Sequence, residues 1–460
     1  MIKFISNSRY HKKNYLCIRF LALRHSAFSK LNEYMALSEK EQIIALIKTE
    51  VVPAIGCTEP VAVALAAAKA KETLGTLPDS INVFLSANML KNAMGVGIPD
   101  TGMVGLPIAI ALGILIGKSE YALEVLKDTD SAAVSAGKDY ISTHSIVIKQ
   151  KKDIADKLYI EVICTKGKDT VRVVISGNHT HFSHVSKNGH IIVDDLMGSQ
   201  NDSNSEFPRL TMRKVYDFSM NTPLDDIRFI LESAELNCNA AEVSLKGDYG
   251  HALGKTILHQ THEALFGNTI HSKILAYTSA ACDARMAGLK IPVMSNSGSG
   301  NQGIAATLPV CVYAKETSKS EEELIRALML SHLTVIYIKQ SFGRLSPLCG
   351  CVVAATGSAC GITYLMGGSY DQIVYAVKNM IANITGMICD GAKPSCSLKV
   401  ATGVSTAVMS ATLAMEDKTV SSIEGIIADD VEQCVYNLAN IGVNGMNNTD
   451  ELVLDIMTHK

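Results

Sequence analysis

Leu158-Tyr159-Ile160-Glu161-Val162-Ile163-Cys164 and Thr170-Val171-Arg172-Val173-Val174-Ile175-Ser176 are two β-branched, largely alternating runs separated by Lys166-Gly167-Lys168-Asp169. Alternation with period two puts one set of side chains on one sheet face, and the Lys166 to Asp169 break supplies a tight turn, so the stretch reads as a β-hairpin. A second turn signal, Asn188-Gly189, precedes His190-Ile191-Ile192-Val193 and extends the antiparallel pairing. On either side the period becomes helical. From Met35 to about Leu126 the chain is alanine-rich with Gly and Pro at the joints, and from about Pro223 to the end helical spacing returns. The expected fold class is therefore α+β, a large, mostly α-helical body interrupted by a smaller antiparallel β-rich domain. Its segments are 1–34 (basic extension outside the fold), 35–126 (first helical part), 127–222 (β-rich insertion) and 223–460 (second helical part).

The 460 residues are 47% hydrophobic, 19% charged and 5% aromatic, with no Trp. Apolar mass made of Ala, Val, Ile, Leu and Met suits closely packed helices, and a chain of this length buries a sizeable core. A formal net charge of −3 directs no global field at nucleic acid or an anionic membrane, so neither is an expected partner. The longest apolar run, Val104 to Gly117, falls short of the ~20 residues of a spanning helix and is broken by Gly105, Pro107 and Gly113, which makes it a buried core helix. The 12 cysteines come without a secretory signal, so reduced thiols and a cytoplasmic location are expected. Cys164, Cys238, Cys311 and Cys434 sit singly in apolar runs and read as small buried hydrophobes. Residues 1–34 are basic, as in a transit peptide or an upstream extension of the reading frame. The folded protein is expected to begin near Met35, where Ser38-x-x-Glu41 forms a capping box; Ser320-x-x-Glu323 forms another. Ser199 to Glu206 is polar enough to be a surface loop.

Three constellations could carry chemistry. Cys389-Asp390-Gly391-Ala392-Lys393-Pro394-Ser395-Cys396 follows a stretch holding Cys349, Cys351 and Cys360. Thiolates on irregular Gly- and Pro-bearing backbone can wrap an inorganic core, whereas zinc would favour paired C-x-x-C knuckles, which are absent. On spacing alone, a metal site and conventional buried thiols stand level. Ser295-Asn296-Ser297-Gly298-Ser299-Gly300-Asn301-Gln302-Gly303 contains the dinucleotide pattern at Gly298, Gly300 and Gly303, yet its preceding strand is short and Pro309 interrupts the following helix. The simpler reading is a nest in which Ser295, Asn296, Ser297, Ser299 and Asn301 bind a substrate carboxylate beside a helix N-terminus, with an ordinary glycine-rich turn as the alternative. Gly56-Cys57-Thr58-Glu59-Pro60 opens a helix with Thr58 as N-cap and Pro60 in the first turn, so the helix end should lower the Cys57 thiol pKa; a buried structural cysteine is the alternative. His179, His181 and His184 read as a solvated strand, and His332 as a satisfied core residue.

Together, Gly56 to Pro60, Ser295 to Gly303, Cys349-Gly350-Cys351 and Cys389 to Cys396 resemble the iron-sulfur-dependent L-cysteine desulfidases, a family related to the α-chain of bacterial iron-sulfur L-serine dehydratases. The likeness runs in order from Met35 to the C-terminus. It implies a [4Fe-4S] cluster held by Cys389, Cys396 and a third cysteine in the Cys349-Gly350-Cys351 run, with Cys349 chosen over Cys351, and one iron open to substrate. Cys57 matches the proposed base. The implied reaction needs no pyridoxal phosphate: L-cysteine undergoes β-elimination to pyruvate, ammonia and sulfide. L-Serine dehydration by the same machinery, a non-catalytic iron-sulfur redox sensor and nicotinamide binding are the alternatives. The expected partner is a small amino-acid substrate; no residue pattern sets the oligomeric state, and a homodimer is carried as an expectation.

Overall fold

The capping box at Ser38 opens helix α1 (Glu39–Glu50), with the Ser38 amide and hydroxyl donating to the Glu41 carboxylate and the Glu41 amide donating to the Ser38 hydroxyl. This computed structural model describes residues 38–152, 154, 156–195, 207–342 and 347–459. Segment 1–34 and the Ser199 to Glu206 loop lie outside the described residues. Past α1 come β1 (Pro53–Ile55), α2 (Thr58–Leu74), β2 (Ser80–Leu85), α3 (Ala87–Ala93), α4 (Leu106–Leu115) and α5 (Ser131–Thr143). Strands β3 (Ser145–Gln150), β4 (Tyr159–Lys166), β5 (Asp169–Ser176), β6 (Phe182–Lys187) and β7 (His190–Asp194) follow. The remaining strand and longer helices are α6 (Met212–Asn221), α7 (Leu231–Lys246), α8 (Ile270–Met286), β8 (Pro292–Met294), α9 (Gly300–Glu316), α10 (Glu321–Phe342), α11 (Gly350–Leu365), α12 (Tyr370–Ile384), α13 (Cys396–Met415), α14 (Val431–Asn440) and α15 (Asn447–Thr458).

The hairpin stands where its alternation puts it: Tyr159 pairs with Ser176 and Lys166 with Asp169. Asn188 and Gly189 both take positive φ (53° and 79°) between β6 and β7, the backbone a two-residue hairpin turn requires. The α+β class holds, but the sheet departs from expectation twice. Its order is β3-β2-β4-β5-β6-β7, so β2, from the segment 35–126 read as helical, lies inside it. Strands β2 and β3 run parallel, which makes the sheet mixed instead of antiparallel. Six residues between two helices are too short to declare a period against helical flanks, although Ile81, Val83 and Leu85 do alternate into the core. The parallel pair is possible because α3, α4 and α5 supply the long crossover it needs.

One face of this sheet buries Ile81, Val83, Ile160, Val162, Val171 and Val173 in one core with α2, and α4 packs on α2 and α5 behind it. Alanines along α2 let α4 approach closely: a Cβ on Gly113 would lie 2.4 Å from the Ala64 carbonyl oxygen. The Val104 to Gly117 run forms the short α4, whose Ile108 to Leu112 are fully buried. Among the described residues one helix, the 20-residue α13, is long and apolar enough to cross a membrane; half of its apolar window is buried, against α8, α11 and α12. A separate two-stranded ladder pairs β1 with β8, Pro53 opposite Met294 and Ile55 opposite Pro292. That ladder sets the chain entering α2 beside the chain entering α9.

Candidate active site

Cys57, and not Thr58, is the N-cap of α2, with extended backbone and no capping bond from its side chain. Its thiol donates to Glu59 Oε2 at 2.9 Å instead, and Asn92 Nδ2 donates to Glu59 Oε1 at 3.1 Å. Burial pushes the Cys57 thiol well above its usual range and the Glu59 charge adds to this, with Arg285 only partly opposing. The expected lowering of this thiol is therefore overturned: the helix end favours a thiolate, but desolvation beside a carboxylate outweighs it. Burial also raises the Glu59 carboxyl, yet His179, the Cys57 hydrogen bond and Arg285 outweigh it and hold Glu59 below the ordinary carboxylate value.

The sulfur-rich segments meet across a single antiparallel bridge between Leu348 and Ile388. The Cys389 amide donates to Pro347 O at 2.7 Å and the Cys349 amide to Met387 O at 2.9 Å, which sets Cys349 and Cys389 side by side. Cys396 begins α13 after the Gly391 to Ser395 turn, its thiol 3.7 Å from the Gly391 carbonyl. Cys351, inside α11, points its S–H at Cys349 Sγ (3.3 Å), and this bond holds the Cys349 thiol down to about 7. Burial raises Cys389, and raises Cys396 to about 11. Cys360 is buried farther along α11.

The glycine-rich loop divides. Ser295 donates to Val52 O at 2.6 Å, Asn296 donates to the His332 ring and carbonyl, and Ser297 donates to Asn296 Oδ1 at 2.8 Å, so all three face the core. The cause is the β1–β8 ladder, which carries the loop's first residues inward. Ser299 and Asn301 turn the other way and line a cavity of about 100 Å³ shared with Cys57, Glu59, Asn92, Arg285, Cys349, Cys351, Cys389 and Cys396. Cys57 N-caps α2, Ser299 N-caps α9, Cys349 N-caps α11 and Cys396 opens α13. Four helix N-termini thus border one cavity, and each favours negative charge there. The thiols of Cys349, Cys389 and Cys396, on irregular backbone and facing positive helix ends, fit an iron-sulfur core held by these three residues. Among the described residues no three His, Cys, Asp or Glu side chains close on one metal ion; the thiols ring a space instead.

Sequence reasoning passed over Asn92 and Arg285. A charged pair, Asp283 and Arg285, following the small residues Ala280 to Cys282 near the end of α8 was the available signal. The solvated-strand reading of the histidines fails: His179 and His184 are buried, His179 near enough to Glu59 for its charge to act there. His332 is a core residue bonded to Asn296 and Thr307, as expected.

A family model described as serine dehydratase alpha chain matches residues 120–455. A UPF0597 protein of Bacteroides fragilis is 65% identical over 426 residues, covering 93% of this chain and 100% of its own. UPF0597 proteins of Phocaeicola vulgatus (65% over 427 residues) and Bacteroides thetaiotaomicron (63% over 426) each cover 93% of this chain and 99% of their own.

Proposed function

This chain belongs to the serine dehydratase alpha-chain family, and from that premise we propose that it is an iron-sulfur lyase eliminating the β-substituent of a small α-amino acid, with L-cysteine the substrate. One observation carries this reading: Cys57 opens onto the same cavity as Cys349, Cys389 and Cys396. β-Elimination needs a base at the Cα–H bond and an acceptor for the leaving group's electron pair, and the two groups must share one space. Cys349, Cys389 and Cys396 would hold a [4Fe-4S] cluster, which supplies when bound a Lewis-acidic iron suited to a soft leaving sulfur.

The chain's own residues do the rest. Cys57 and Glu59 act as a pair: as the Cys57 sulfur takes the proton of substrate Cα, the thiol's own proton moves in the same step to the carboxylate it already touches, so no free thiolate forms. The Cα–H electrons form the Cα–Cβ double bond as the Cβ–S bond breaks with its pair on sulfur. The resulting aminoacrylate tautomerises to the imine, and water converts it to pyruvate and ammonia. Asn92 fixes the Glu59 carboxylate from the side opposite Cys57. No pyridoxal phosphate is required.

Protein reconstituted with iron and sulfide without oxygen, then given L-cysteine or L-serine, tests the reading through pyruvate and sulfide. L-Cysteine should yield both products in equal amounts, faster than L-serine yields pyruvate. Faster serine turnover would make the chain a dehydratase, and no product from either with the cluster intact would leave an iron-sulfur sensor.

A further inference from the structure

We propose that Arg285 binds the α-carboxylate of the substrate, the role the sequence had given to the hydroxyls and amides of the Ser295 to Gly303 loop. This role rests on the elimination reading above. Arg285 lies at the end of α8, 2% exposed, and lines the cavity together with Cys57 and Asn301. Its partners are neutral: Nε donates to the Gly56 carbonyl at 3.1 Å and Nη1 donates to Asn301 Oδ1 at 3.0 Å. Among the described residues no carboxylate oxygen lies within 4.0 Å of its guanidinium. Glu59 is close enough for its charge to be felt but is engaged by Cys57, Thr58 and Asn92. A guanidinium buried against neutral acceptors is costly unless an anion joins it, and its planar fork of five N–H donors matches a carboxylate in two-pronged fashion.

The surroundings are shaped to this side chain. A Cβ on Gly300 would stand 2.3 Å from Arg285 Nε and 2.8 Å from Cζ, so the second glycine of the apparent dinucleotide pattern makes room for the guanidinium and not for a phosphate. The Ser299 N-cap of α9 adds its helix end to the same spot. Because the Gly56 carbonyl that receives Nε directly precedes Cys57, a carboxylate on Arg285 brings the adjoining Cα within reach of the Cys57 thiol. The pocket therefore selects α-amino acids bearing a free carboxylate and rejects the corresponding amines.

The test compares full-length, cluster-loaded wild type with Arg285→Gln and Arg285→Lys, using calorimetry with L-alanine, an unreactive carboxylate, and ethylamine, its carboxylate-free counterpart. Wild type should prefer L-alanine by about 10- to 100-fold, the worth of a charge-assisted contact. Arg285→Gln should keep its iron yet lose that preference, and Arg285→Lys should regain part of it. Should Arg285→Gln fail to fold, Asn301→Asp places a carboxylate against the guanidinium and should abolish the preference by occupying it. An unchanged preference in either variant, or no preference in wild type, overturns the role. If wild type turns over neither cysteine nor serine but still prefers L-alanine in an Arg285-dependent way, the elimination reading falls and the carboxylate site stands.

Discussion

Burying Cys57 against Glu59 gives the thiol a proton acceptor in place of a charge of its own. Cys57→Ser keeps the size but replaces the acid of the pair with a far weaker one, so iron content should hold while turnover drops by about 10²- to 10⁴-fold. Exchange of the substrate α-hydrogen with deuterated solvent should fall equally; exchange at the parent rate would assign the base elsewhere, and loss of iron would make Cys57 a ligand. His332 makes a second residue-level prediction. Its fully buried ring has a pKa pushed down to about 3 by desolvation, whereas in the unfolded chain it titrates near 6.5. The unfolded state thus binds the extra proton, and the stability held above about pH 6.5 is lost as pH falls, by about 1.4 kcal/mol per unit from this residue. Urea unfolding at pH 7.5 and 5.5 should show a smaller loss for His332→Gln than for wild type, and equal losses would refute the assignment.

Among elements, α15 controls the cysteine segment from a distance in sequence. Its Asp450 pairs with Lys91 of α3, a lysine 1% exposed, and also accepts from Asn88 Nδ2 at 2.7 Å. Lys91 Nζ donates to the Cys389 carbonyl at 3.1 Å, and Gly391, at φ +89°, lies so close that a Cβ would meet the Lys91 carbonyl oxygen at 2.2 Å. Asp450→Asn should cost about 3 to 5 kcal/mol, because it leaves a buried ammonium without its counter-charge. Lower iron retention should accompany the lower Tm, and Lys91→Met added to that variant should restore part of the stability; iron retention equal to wild type would sever α15 from the cluster segment. Element boundaries were partly legible. The β4–β5 hairpin was plain from alternation, but α9 runs through Pro309 where an interruption was expected. A proline there removes one helix bond at about 3 kcal/mol, and full burial of the flanking Leu308 and Val310 offsets it.

At the scale of the molecule, the proposed cluster would be linked to the fold, since Cys349 and the Cys389 to Cys396 turn are joined by a single backbone bridge. A group that binds only the folded chain raises its stability, by about 4 kcal/mol when present at a thousand times its dissociation constant. Reconstitution should therefore raise the Tm of wild type and not of Cys389→Ser; an equal rise in both would remove Cys389 from the ligand set. The sequence alone determined the α+β class, the hairpin, the capping boxes, a core helix within Val104 to Gly117 and the four motifs in question, because each depends on local periodicity or on residue types a few positions apart. Only the tertiary structure decided which members of those motifs share a cavity. The β1–β8 ladder turns Ser295 to Ser297 inward and leaves Ser299 and Asn301 at the cavity, the Leu348–Ile388 bridge places Cys349 beside Cys389, and α8 delivers Arg285 between the loops. Helix N-termini separated by up to hundreds of residues meet through packing of apolar faces, and that packing also desolvates Cys57, reversing the shift its local position predicts.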